Sequence, residues 1–180
     1  MNECGKRRGI CRSQNGECVS HWIWPTTADL GLRAMAPTVE RVFAEAALGV
    51  LAAMDAQGAN ASRVHHGEWT AMLNASEGRT DLDLLLLAWL DEVLYQAQTK
   101  SRWMLSADVH ITQDKQGARL RAMVAFVSAN EMVRGVEVKA ISSHGLTLQA
   151  VQAGATLPGK GEDMPSLVGP AWYADVLLDV

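Results

Sequence analysis

Asp29 sits inside the pentad TADLG (Thr27–Gly31), in a short connection between two apolar runs, and Asp179 is the penultimate residue of the apolar segment VLLDV. A chain ending inside a strand-like run has its last residue held by the fold, so the carboxylate on Val180 is expected beside Asp179. Three hard oxygen donors on ordered backbone suit a divalent cation such as Ca²⁺, Mg²⁺ or Mn²⁺. Asp29 also has a simpler reading, since Asp favours turns in which its side chain bonds its own downstream backbone. Asp179 stands open between a charge at a sheet edge and a convergent ligand.

Other polar residues point less clearly to chemistry. Glu137 and Lys139 alternate with Val136 and Val138, which puts both on one face of an expected strand, by default the solvated one. Ser142, Ser143 and His144 follow one another, but neighbours on extended chain point opposite ways. With no GxSxG elbow, serine hydrolase chemistry is set aside. Asp91 and Glu92 fall on the polar margin of a helix, and His65 and His66 diverge in a strand before Glu68. Cys4, Cys11 and Cys18 recur every seven residues, with His21 at a CxxH spacing. Zinc sites pair their ligands more tightly than Cys4 and Cys11, which favours an unstructured tail. The sequence contains no P-loop, GxGxxG, HExxH or paired CxxC, so nothing reads as a self-sufficient enzyme.

The elements that must position these residues form one domain of ordinary composition. The 180 residues are 48% hydrophobic and 20% charged, enough to bury a core without staples. The net charge of −4, without a basic block, does not ask for a nucleic-acid face. All three cysteines fall in the first 18 residues, so the fold does not depend on disulfides, which suits a reducing cytosol. No apolar stretch follows Lys6, Arg7 and Arg8, and the longest apolar run, Leu84–Leu90, is too short to span a bilayer. The expectation is a soluble cytoplasmic protein, with residues 1–18 a disordered leader (or an over-long translation start) and 19–180 the domain.

Within the domain, strands are expected at Val19–Pro25 and Gly31–Ala36. Thr38 then caps a helix with Val39, Val42, Phe43, Ala46, Ala47, Val50, Leu51 and Met54 on its apolar face, ended by Gly58 and Asn60. After an extended Arg63–Leu73, Asp81 caps a second helix with Leu82, Leu85, Leu86, Trp89, Leu90, Val93 and Leu94 as its apolar face. Period-two segments Trp103–Thr112 and Ala118–Val127 flank the turn QDKQG as a hairpin. VEVKAIS, GLTLQAV and AWYADVLLDV supply three more strands, the last two separated by a Gly/Pro-rich loop over 153–169. Two helices packed on mostly antiparallel strands make an α+β domain.

TADLG, then TVERVFAEAALGVLAAM, LLLLAWLDEVLYQAQT, VEVKAISSHGLTL and the terminal VLLDV together resemble the archease family from about His21 to Val180. The resemblance implies a compact α+β fold related to the strand-helix-strand-strand module. It also implies a non-catalytic cofactor that helps an RtcB-type RNA ligase guanylylate its active-site histidine and turn over repeatedly, in tRNA splicing or RNA repair. RNA would be met only through the ligase. The resemblance carries a divalent-metal site onto Asp29, Asp179 and Val180. It makes Lys139 and His144 contacts to the ligase or its nucleotide, and aligns Glu92 with an acidic residue of the second helix. Two positions depart from the family: Thr26 stands where a histidine usually precedes TAD, and Ser143 where relatives tend to have an aromatic residue. The rival reading is a chaperone-like binding module for another RNA-modifying enzyme, such as a tRNA methyltransferase. An autonomous metal-dependent phosphatase or nuclease would need more ligands than these.

Overall fold

The computed structural model describes residues 11–12, 18–27, 29–55, 63–74, 81–133, 135–160 and 163–180. Cys4, Gly58, Asn60 and most of residues 1–18 lie outside them; the backbones of Cys11–Arg12 (β1) and Cys18–Val19 (β2) pair antiparallel. The elements that follow are β3 (His21–Pro25), β4 (Leu30–Ala36), α1 (Val39–Met54), β5 (His65–Asn74), α2 (Leu82–Gln98), β6 (Arg102–Asp114), β7 (Gly117–Ser128), β8 (Ala140–Val151), β9 (Thr156–Leu157), β10 (Leu167–Val168) and β11 (Ala171–Asp179).

Both helices start where their caps demand. The Thr38 hydroxyl accepts the Arg41 amide at 3.3 Å, and the Asp81 carboxylate accepts the Asp83 amide at 2.9 Å, each satisfying an amide that lacks an intrahelical partner. Helix α1 ends at Met54, earlier than Gly58 and Asn60 suggest. The Met54 carbonyl is taken by the Gly135 amide at 2.8 Å, which diverts the next turn of the ladder. The hairpin β6–β7 turns at Lys115–Gln116, where the Asp114 side chain accepts the amides of Gln116 (2.7 Å) and Gly117 (3.1 Å).

The strands form two main antiparallel sheets, one of order β3-β4-β11-β8 and one of order β5-β7-β6. The helix pair lies between them: α1 packs on β3, β4 and β11 from one sheet and β6 from the other, and α2 on β8 and on β5, β6 and β7. A helix covered on two sides must be apolar over more than one stripe, and in α1 Val42, Phe43, Ala46, Ala47, Val50, Leu51 and Met54 are all buried. The Trp89 indole N–H of α2 donates to the Phe43 carbonyl of α1 at 3.1 Å, so the largest buried side chain keeps its polar atom satisfied. Fully burying each large apolar side chain of this layer contributes roughly 1.5–3 kcal/mol.

Two strand expectations change. Residues 136–139 are not a strand, because their backbone groups are claimed elsewhere: the Val138 carbonyl accepts from the Gln98 side chain at 2.7 Å, and the Lys139 amide donates to the Asp179 carbonyl at 2.7 Å. Glu137 and Lys139 therefore do not share a strand face. AIS and GLTLQAV are one strand, β8, interrupted by a bulge: Ser142 pairs with Leu177 but Thr147 with Asp175. Gly145, at φ +70°, supplies the left-handed residue this bulge requires.

Candidate metal centre at the end of the terminal strand

Along the β4–β11 ladder the even-numbered partners Leu32 with Val176, Ala34 with Ala174 and Leu30 with Leu178 turn toward the helices. The odd-numbered partners Met35 with Tyr173, Arg33 with Asp175 and Gly31 with Leu177 turn the other way. The β4–β11 pairing ends at Leu30 and Leu178, so Asp29, in the β3–β4 turn, and Asp179 are the next residues of their segments at this end of the ladder. The adjoining ladder, in which Asp179 pairs with Ala140, brings Lys139 beside Val180 in the same way.

Asp29 closes the β3–β4 turn, and Thr26 fixes it there. The Thr26 hydroxyl donates to the Asp29 carbonyl at 2.8 Å and accepts the Asp29 amide at 3.1 Å, while the Thr26 amide donates to the same carbonyl at 3.0 Å. Thr26 thus does the local bonding that turn Asp side chains commonly do for themselves. Among the described residues the carboxylates of Asp29 and Asp179 take no hydrogen bond and no ion pair. Next to the turn, the Trp24 ring lies flat over Gly31, where any Cβ would run into the indole.

On the far side of Asp179, the Lys139 ammonium donates to the carbonyl-carbon oxygen of Val180 at 3.0 Å. The Val180 side chain packs on the main core, anchoring this end of β11. Two carboxylates and the oxygens of Val180 are a hard-oxygen set, which fits Ca²⁺, Mg²⁺ or Mn²⁺ in kind. No group of three or more His, Cys, Asp or Glu side chains that could hold a metal occurs among the described residues.

The remaining expected site residues disperse. His144 is exposed in the β8 bulge, and its amide donates to the Ser142 hydroxyl at 3.1 Å, so that hydroxyl serves the backbone. Glu92 accepts the Gln96 side chain at 2.7 Å on its own helix, and Gln96 in turn accepts from Arg102 at 3.4 Å. No contact among the described residues joins Glu92 to the carboxylate end. His65 stacks on Phe126 with centroids 5.6 Å apart, and Glu68 pairs with Arg121 at 2.6 Å, so neither is a ligand in waiting. Surface cavities of about 280 Å³ (Asn74, Thr112, Arg119) and about 340 Å³ (Arg41, Asp108, His110) include none of the carboxylate-end residues.

One polar cluster escaped the sequence reading. Arg33 and Asp175 face each other across the ladder in a bidentate pair of 2.6 and 2.7 Å, and both are buried. Arg33 also donates to the Pro158 carbonyl at 2.9 Å, and Lys160 reaches Asp175 at 2.9 Å while lying over the Trp24 ring. These bonds tie the 153–169 segment, with its small β9–β10 pair, across the outer face of the sheet. Burial pushes the Asp175 carboxyl up, but Arg33 and Lys160 more than offset that and hold it below the usual carboxylate range. The signal was one charge in the middle of each apolar strand, LGLRAMA and AWYADVLLD.

The chain is thus an α+β domain with a helix pair between its two main sheets and two acidic residues, Asp29 and Asp179, just past one end of its central ladder. It belongs to the archease protein family (MTH1598/TM1083), whose model matches residues 22–180. Among solved structures it is similar to protein 1598 of Methanobacterium thermoautotrophicum, determined in solution. The two share 25% identity and a TM-score of 0.57 over 89% of this chain and 99% of that one. No curated protein matches the chain.

Proposed function

We propose that this protein is a non-catalytic cofactor of an RtcB-type, GTP-dependent RNA ligase, promoting guanylylation of the ligase and its multiple turnover in tRNA splicing or RNA repair. Membership of the archease family supports this reading, and one observation of the site carries it. Asp29 and Asp179 lie just past the same end of the β4–β11 ladder, and neither carboxylate is paired among the described residues. Two unpaired hard-oxygen carboxylates at one end of a sheet are suited to a cation.

In this reading Asp29, Asp179 and Val180 hold a divalent cation, Ca²⁺, Mg²⁺ or Mn²⁺. When bound, such an ion would neutralise the carboxylates and would supply positive charge toward phosphate oxygens. The chain's own residues do the positioning. Thr26 fixes the Asp29 backbone, the core contacts of Val180 fix the strand end, and Trp24 walls the site on the β3 side. Lys139 and the exposed His144 are the candidates to touch the ligase or its nucleotide, and Glu92 is the weakest because its carboxylate is already engaged by Gln96. RNA is met only through the ligase, and the compartment is the cytoplasm. No helix among the described residues is long and apolar enough to cross a membrane.

A pull-down from the native host with the full chain as bait tests this partner assignment. Recovery of the ligase supports it; recovery of a methyltransferase without the ligase replaces it with the chaperone-like reading.

A further inference from the structure

Lys139 makes two bonds to the end of β11. Its amide donates to the Asp179 carbonyl at 2.7 Å, and its ammonium donates to an oxygen of Val180 at 3.0 Å. The backbone bond already secures the segment to the strand, so the ammonium adds little to that tether. What it adds is a single positive charge against one of the three donors of the carboxylate end. The side chain is exposed and no acidic side chain among the described residues pairs with it, so nothing else holds the ammonium there.

We propose that Lys139 is the built-in counter-ion of the carboxylate end, an ammonium that a divalent cation must displace from Val180 and whose charge sets how tightly that cation is held. This rests on Asp29, Asp179 and Val180 forming the cation site. A lysine ammonium is a compact charge on a flexible four-carbon stem. In the cation-free protein it places one positive charge on Val180 at this end of β11 without pairing with either Asp side chain, and it can swing aside when a doubly charged ion arrives. Once displaced it stands at the rim of the site, where an incoming phosphate would meet it. Lys139 is therefore a tuning residue as well as a contact, and its removal should strengthen cation binding rather than weaken it.

Calorimetric titration of the chelator-treated full chain with CaCl₂ separates the possibilities without any ligase. Lys139→Met, which keeps the backbone bond and the stem but removes the charge, is expected to bind Ca²⁺ about tenfold more tightly than wild type, the scale of one unit charge about 6 Å from a divalent ion in water. Lys139→Arg, which keeps the charge, should stay near wild type. Binding by Lys139→Met alone, with wild type silent, is the same result in its strongest form. An unchanged or weaker affinity in Lys139→Met, with Asp29→Asn and Asp179→Asn both losing the ion, overturns the counter-ion role and leaves the site standing. Calcium held equally by Asp29→Asn and Asp179→Asn, or by none of the proteins, overturns the site itself and this role with it.

Discussion

Arg33 and Asp175 face each other on one rung of the β4–β11 ladder, and the same ladder runs out at Leu30 and Leu178, one residue short of Asp29 on one side and of Asp179 on the other. The rung carries opposite charges, buried under the 153–169 segment; the ladder end carries two carboxylates. The first pair is satisfied by the fold, and the second is where we propose a cation.

That contrast predicts opposite effects of neutralisation. Asp29→Asn or Asp179→Asn should leave the cation-free protein as stable as wild type or more stable by roughly 0.2–1 kcal/mol, because a like-charge pair is relieved. Wild type is expected to gain about 2.7 kcal/mol of stability at one hundred times Kd of Ca²⁺, and both variants should lose the accompanying rise in melting temperature. Thermal melts with and without calcium measure both effects.

Arg33→Met should cost about 3–5 kcal/mol, since it strips the buried Asp175 of its bidentate partner. A pH dependence follows from the depressed carboxyl. Its contribution to stability is complete above the ordinary carboxylate value and is lost as pH falls through the lower folded value. Acid unfolding of wild type should therefore steepen below about pH 4, and Asp175→Asn should show a lower stability at neutral pH with a flatter acid limb.

Much of this was legible before the structure. Thr38 and Asp81 announced the helix starts, and the period-two runs gave the β6–β7 hairpin almost to its ends. Asp29, Asp179 and Val180 were singled out from residue type and position, and their holding a cation is the proposal made above. The rest depended on distant partners. Val136–Lys139 alternates like a strand, yet Gln98 and Asp179 take its backbone groups, and no local pattern reveals that. The split into two sheets around the helices was hidden too, because burial on one side or two changes only how far round the helix the apolar residues extend. Arg33 and Asp175 lie 142 positions apart, and only their register makes a lone Arg and a lone Asp into a pair.

Thr26 predicts a positioning effect. Thr26→Ala removes both hydroxyl bonds to the Asp29 backbone and should cost about 1 kcal/mol, while weakening Ca²⁺ binding several-fold. Thr26→Ser keeps the hydroxyl and should restore affinity. Melts paired with calcium titrations separate lost positioning from simple unfolding.

Gly31→Ala should destabilise by about 1–3 kcal/mol, because the new Cβ meets the Trp24 ring and the β3 wall must shift. Displacement of that indole is read directly as a change in tryptophan fluorescence against wild type.

The most direct measurement of the central claim is RNA ligation by the host's RtcB-type ligase, with RNA in excess and this protein in catalytic amounts. Multiple turnover with wild type, reduced at least tenfold by Asp29→Asn and Asp179→Asn whose cation-free melting temperatures are no lower than wild type's, is the predicted result. No stimulation of a competent ligase, or full stimulation by both variants, would contradict it.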